Sequence, residues 1–279
     1  MAANGLLWPI VHHILFSIAR RIFNAFSTLA FWLTKLFQQD TRTKDYQNSA
    51  RVEKVISAHK FDSLVSPNKP SNFITFFQRN VHPRYVLKDE VSLFCLTDDE
   101  AWFVEAPEGV EVWKSCYSPF HKIAQMDYAV NVIRMPLESL YRLSSEMGDI
   151  EAKIVFIEFT PRSGSTLLLQ LFEETGECVT YSECHYFNNM EHEDHADEES
   201  RLEAVMKMYC KPRQQPTSTY VFKVVLTGRN LCRMVHKLFP QTKSIYIYRD
   251  AVPTAKSTNK VDGRLNLGLI CRAMCSIYP

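Results

Sequence analysis

From Asp149 onward the chain alternates short apolar runs with stretches of helical spacing, and this alternation constrains the fold more than any other feature. Ile154 to Phe159 is apolar except for Glu158; a polar turn and a helical run from Leu167 to Glu174 follow it. Val179 to Ser182 reads as a second strand, Glu199 to Tyr209 as a helix, Tyr220 to Leu226 as a third strand and Asn230 to Leu238 as a third helix. A fourth strand, Ser244 to Tyr248, and a helix from Val252 complete the series. Parallel strands need crossover connections, usually helices, so this order predicts an α/β fold with a parallel sheet between helical layers. In such folds ligands bind beyond the carboxyl ends of the strands.

The segment Thr160-Pro161-Arg162-Ser163-Gly164-Ser165-Thr166 sits at one such strand end and opens a helix. Backbone N–H groups from Ser163 to Leu167 would lack intrahelical acceptors there, and the positive end of the helix dipole lies behind them. Arg162 adds a full charge, and Ser163, Ser165 and Thr166 add hydroxyls. These are the parts of an anion cradle, although an ordinary capped helix start uses similar residues. Glycine supply limits the design. The chain has 8 glycines, no G-x-G-x-x-G, and one G-x-x-x-x-G (Gly263 to Gly268) followed by Leu269 and Ile270 where a Walker loop needs Lys and Ser/Thr. A phosphate loop here must therefore be built on Gly164 alone. Arg249, at the end of the fourth strand, and Ser257, two turns along the next helix, supply a second cation and hydroxyl. Two anion sites at two strand ends, held apart, suit a nucleotide phosphorylated at both ends.

Thr160 to Leu168, with Tyr248-Arg249-Asp250 and Ser257 downstream, resembles the paired motifs of sulfotransferases that use 3′-phosphoadenosine 5′-phosphosulfate (PAPS). The Arg-Ser-Gly-Ser-Thr form is closer to the carbohydrate and tyrosylprotein branches. The resemblance covers Lys153 to Lys260 and implies a P-loop-type three-layer fold. It also implies sulfuryl transfer from PAPS to a hydroxyl- or amine-bearing acceptor. By the same resemblance, Arg162, Ser163, Gly164, Ser165 and Thr166 hold the 5′-phosphosulfate, and Arg249 and Ser257 hold the 3′-phosphate. Glu183 becomes the first choice for catalytic base, with His185 second because an ordinary imidazole titrates near neutral pH. Lys223 would reach the leaving phosphate, or else snorkel from a sheet edge. No metal is implied, because arginines and helix dipoles supply the countercharge. The family carries a further region past the second motif, which implies that residues 151–279 are an incomplete domain. A nucleotide-binding protein without transfer activity, or another P-loop phosphotransferase, would carry the same loop.

Thirty-two basic and 31 acidic residues leave a charge of +1, so no global field attracts nucleic acid. The 8 cysteines contain no C-x-x-C pair, and several lie in apolar runs, where buried free thiols are expected; an even number also permits disulfides in a secretory compartment. The acidic run Met190 to Glu199, with His192 and His195, reads as a solvated loop and helix start, with a divalent-metal site as the other reading.

Residues 1–39 hold no Asp or Glu, and residues 6–37 are mostly apolar. On a helix His13, Ser17, Arg20, Arg21 and Asn24 share one stripe, and Ile14, Ile18 and Phe26 lie on the other side. This predicts a membrane-associated helix at a bilayer interface, with a type II signal anchor (hence a Golgi location), a presequence and a soluble packing helix as the other readings. Residues 40–71 read as a polar stalk. Residues 72–150 read as a small α+β lead-in, with a hairpin at Val91 to Ala106, a strand at Val110 to Trp113, and helical spacing from Pro119 to Gly148 broken at Pro136.

Overall fold

The computed structural model describes residues 3–37, 45–61, 66–189, 197–225 and 229–257. Helix α1 (Ala3–Phe37) comes first and touches the second strand of an antiparallel sheet. That sheet contains β1 (Ala50–Ala58), β2 (Phe73–Val81), β3 (Val91–Leu96), β4 (Glu100–Glu105) and β5 (Asn131–Pro136), in the order β2-β1-β5-β4-β3. Helix α2 (His121–Asp127) precedes β5, and α3 (Leu137–Glu146) follows it directly. The β3–β4 hairpin closes as its residues dictate: the Thr97 amide donates to the Glu100 carbonyl at 2.8 Å, and Thr97 Oγ1 accepts from the Glu100 amide at 3.0 Å.

The second sheet is parallel. Its strands are β6 (Lys153–Phe159), β7 (Cys178–Ser182), β8 (Thr219–Val225) and β9 (Lys243–Ile247), in the order β7-β8-β6-β9. Helix α4 (Ser165–Glu173) joins β6 to β7; α5 (His185–Asn189) and α6 (Glu198–Tyr209) lie between β7 and β8; α7 (Arg229–Leu238) leads to β9, and residues 251–257 are helical again. The chain leaves β6 toward β7 on one side and later crosses to β9 on the other. That reversal puts the sheet's crevice at the carboxyl end of β6. One continuous core spans both sheets. Leu93, Phe103, Ile133 and Leu140 from the first half pack in the same cluster as Phe156, Tyr181, Leu202 and Phe222 from the second. The lead-in and the parallel sheet thus share their burial.

Three expectations are corrected. Residues 50–58, read as part of a polar stalk, form β1 in the interior of the antiparallel sheet, paired with β2 and β5. Bulges between Val52 and Glu53 and between Val55 and Ser57 break the two-residue alternation that would have announced a strand. Val130 and Ile133, spaced as on a helix, belong to the approach to β5 and to β5 itself, where Ile133 pairs with Val52 and Phe103. Val110 to Trp113 forms turns rather than a strand. Residues 190–196 of the acidic run and residues 258–279, including Gly263, Gly268 and Lys260, lie outside the described residues.

Candidate active site

The turn after β6 is built as an open cradle. The Thr160 amide continues the ladder to the Ile247 carbonyl at 2.9 Å, so the chain leaves the sheet fixed on β9. Arg162 then takes φ 64° and Gly164 φ 95°. Left-handed backbone is inexpensive for glycine but strained for arginine. Gly164 ends the turn at the start of α4, whose first i to i−4 bond runs from the Leu168 amide to the Gly164 carbonyl at 3.2 Å. Space beside Gly164 is open: a Cβ there would meet nothing within 4 Å. The buried hydroxyls of Thr160 and Ser163 have no hydrogen-bond partner among the described residues. Buried hydroxyls normally find a partner, so these two are free to bond one brought by solvent or a ligand.

Arg162, Arg249 and Ser257 form one contact group. Arg162 Nε donates to Ser257 Oγ at 2.9 Å, and Arg249 Nη1 makes a long 3.4 Å contact with the Arg162 carbonyl. Asp250 places them: its carboxylate accepts from the Val252 amide at 2.8 Å and its carbonyl from the Thr254 amide at 3.1 Å, starting the helix that carries Ser257. Arg162, expected on the 5′ side, and Ser257, expected on the 3′ side, are thus in direct contact.

Thr166, Glu183 and Lys223 form the second group. Lys223 lies in β8 between β6 and β7, opposite Ile157 and Ser182. It is an interior-strand residue, only 2% exposed, and not a sheet-edge lysine. Its ammonium donates to Glu183 Oε1 at 2.7 Å and Thr166 Oγ1 at 3.1 Å. The rings of Phe159 and Phe120 lie 4.7 and 5.3 Å from it. A buried ammonium is tolerated only when paired and hydrogen-bonded, and this one is both, with cation–π contacts added. Glu183 follows β7 with φ 54°, a left-handed conformation held by its own amide donating to the Lys223 carbonyl at 2.9 Å. Non-glycine residues held this way cost about 1–3 kcal/mol and cluster at functional sites.

His185 faces elsewhere. Its Nδ1 accepts from the Asn68 amide at 3.3 Å, and burial, helped by Lys60, Lys122 and Lys69, lowers its pKa to about 3. An imidazole so reluctant to take a proton is a poor base. Sequence reasoning missed Phe120, Phe159 and Ser182, whose buried hydroxyl also has no hydrogen-bond partner among the described residues. Phe120 comes from the loop before α2, and no local pattern could announce that contact. Among the described residues no cluster of three or more His, Cys, Asp or Glu could hold a metal ion. No family model matches the chain, and no curated protein or solved structure matches it.

Proposed function

We propose that the parallel-sheet half is a P-loop-type nucleotide domain and that the protein is a sulfotransferase, moving a sulfuryl group from PAPS to a hydroxyl or amine. The observation that carries this reading is Lys223, buried at the strand ends and bonded at once to the cradle hydroxyl of Thr166 and to the carboxylate of Glu183. One cation thereby connects the place where an anion would leave to the group that would take the acceptor's proton.

In this reading the amides at the start of α4, with Ser163, Ser165 and Thr166, hold the 5′-phosphosulfate. Arg249 and Ser257 hold the 3′-phosphate, and Arg162, already touching Ser257, lies between the two groups. The acceptor oxygen or nitrogen bonds to sulfur while the bond from sulfur to the 5′-phosphate oxygen breaks. Glu183 accepts the acceptor's proton, and Lys223 stabilises the charge left on the departing phosphate. The test is transfer of radiolabel from PAPS to a panel of sugar, phenol and amine acceptors. Glu183→Gln should lower transfer by about 10²–10⁴-fold, the usual weight of general-base catalysis. Stable binding of 3′-phosphoadenosine 5′-phosphate with no acceptor labelled would instead support a binding protein without transfer activity.

A further inference from the structure

Helix α1 is inside out. An amphipathic helix on a globular protein ordinarily turns its apolar stripe to the core. Here Trp8, Leu15, Ile18, Ile22 and Phe26, spaced at 7, 3, 4 and 4 residues along one stripe, face away from the body; Trp8 is 71% and Phe26 68% exposed. The opposite, polar stripe meets the body. The rings of His12 and His13 lie 4.5 and 5.4 Å from His59, and that of Phe16 lies 5.1 Å from it. These contacts lay the first half of the helix against the folded domain. No helix among the described residues is long and apolar enough to cross a membrane.

Between the polar stripe and the body is a cavity of about 40 Å³, lined by His13, Ser17, Arg20, Arg21, His59 and Lys69 among others, with no carboxylate in its wall among the described residues. It has room for roughly three water-sized groups, comparable with the free oxygens of a phosphate. His13 Nδ1 and His59 Nε2 are buried and have no hydrogen-bond partner among the described residues. Burial and the neighbouring histidines depress the pKa of His59 to about 4, so at neutral pH its ring is uncharged and can offer one N–H.

We propose that this is a docking site for a bilayer containing anionic phospholipid: the exposed stripe of α1 enters the acyl boundary, and a headgroup phosphate occupies the cavity behind it. Charge complementarity selects this occupant. Arg20 and Arg21, on the polar stripe behind it, line the cavity, and residues 1–39 contain no acidic residue. Interfacial helices combine apolar burial with such a cationic polar face. The inference stands independently of the sulfotransferase reading, because its assay contains no nucleotide and reads no transfer.

The test is flotation of the full chain with phosphatidylcholine vesicles, with and without phosphatidylglycerol. Binding should depend on phosphatidylglycerol. It should weaken about fivefold for each charge removed in Arg20→Ala and Lys69→Ala, and disappear in Leu15→Asp/Ile22→Asp with the melting temperature unchanged. Equal binding to both vesicles would overturn the headgroup site. So would stabilisation by inorganic phosphate without flotation, which would mark a free-anion site. A dimer by light scattering that Leu15→Asp/Ile22→Asp dissociates, with no flotation, would assign the stripe to a second copy of the chain.

Discussion

At the scale of single residues the site stands on two charges that hold each other. Lys223 is sealed from water while Glu183 is partly open to it, so removing either partner has unequal effects. Lys223→Ala leaves a carboxylate that water can reach in part, and should cost about 2 kcal/mol, below the 3–5 typical of a fully buried pair. The shift in urea midpoint measures this. Gly164→Ala separates strain from crowding. The open space beside Gly164 removes any clash, so a loss of about 1–2 kcal/mol would be strain from φ 95° alone. Weaker nucleotide binding should accompany it, read by calorimetry. Such residues were legible in part. Arg162 to Thr166 declared themselves through residue type and strand context. The left-handed turns at Arg162 and Glu183 did not, because neither residue type favours that conformation.

Among the elements, β8 positions the site. Phe222, beside Lys223, stacks on Phe156 at 5.1 Å and on Tyr181 at 5.3 Å, with Phe187 and Tyr209 at its edges. Its side chain points away from the lysine, so the strand is anchored on one face and carries the charge on the other. Phe222→Ala should cost about 3–5 kcal/mol, measured by chemical denaturation, and should weaken nucleotide binding without touching a ligand. The strands of this sheet were readable because parallel strands covered on both faces appear as continuous apolar runs. β1 was not, because its bulges and the buried Glu53 break the alternation. β5 was read as helix because Val130 and Ile133 happen to be three residues apart, just ahead of the true helix α3. The stripes of α1 were legible, but not which stripe meets the body: periodicity defines faces, and only tertiary contacts assign them.

For the whole molecule, the shared core makes folding of the two sheets one event, and buried histidines couple it to pH. His121 and His185 are held neutral, each with a pKa lowered to about 3, chiefly by burial. The unfolded chain takes up protons near pH 6.5 and the folded chain does not. Their contribution is therefore complete above pH 6.5 and is lost progressively as pH falls toward 3. Stability curves should fall across that window, with a shallower slope in His185→Gln. At residue 150, where the sequence changes texture, the chain passes from one sheet to the other while the core continues across. The central claim is that the crevice at the end of β6 takes a nucleotide phosphorylated at both its 3′ and 5′ positions. Calorimetry comparing 3′-phosphoadenosine 5′-phosphate with adenosine 5′-monophosphate tests it most directly. The bisphosphate should bind at least tenfold more tightly (about 1.4 kcal/mol), and Arg249→Ala should remove the difference. Equal affinity for the two, or a preference unchanged by Arg249→Ala, would contradict it.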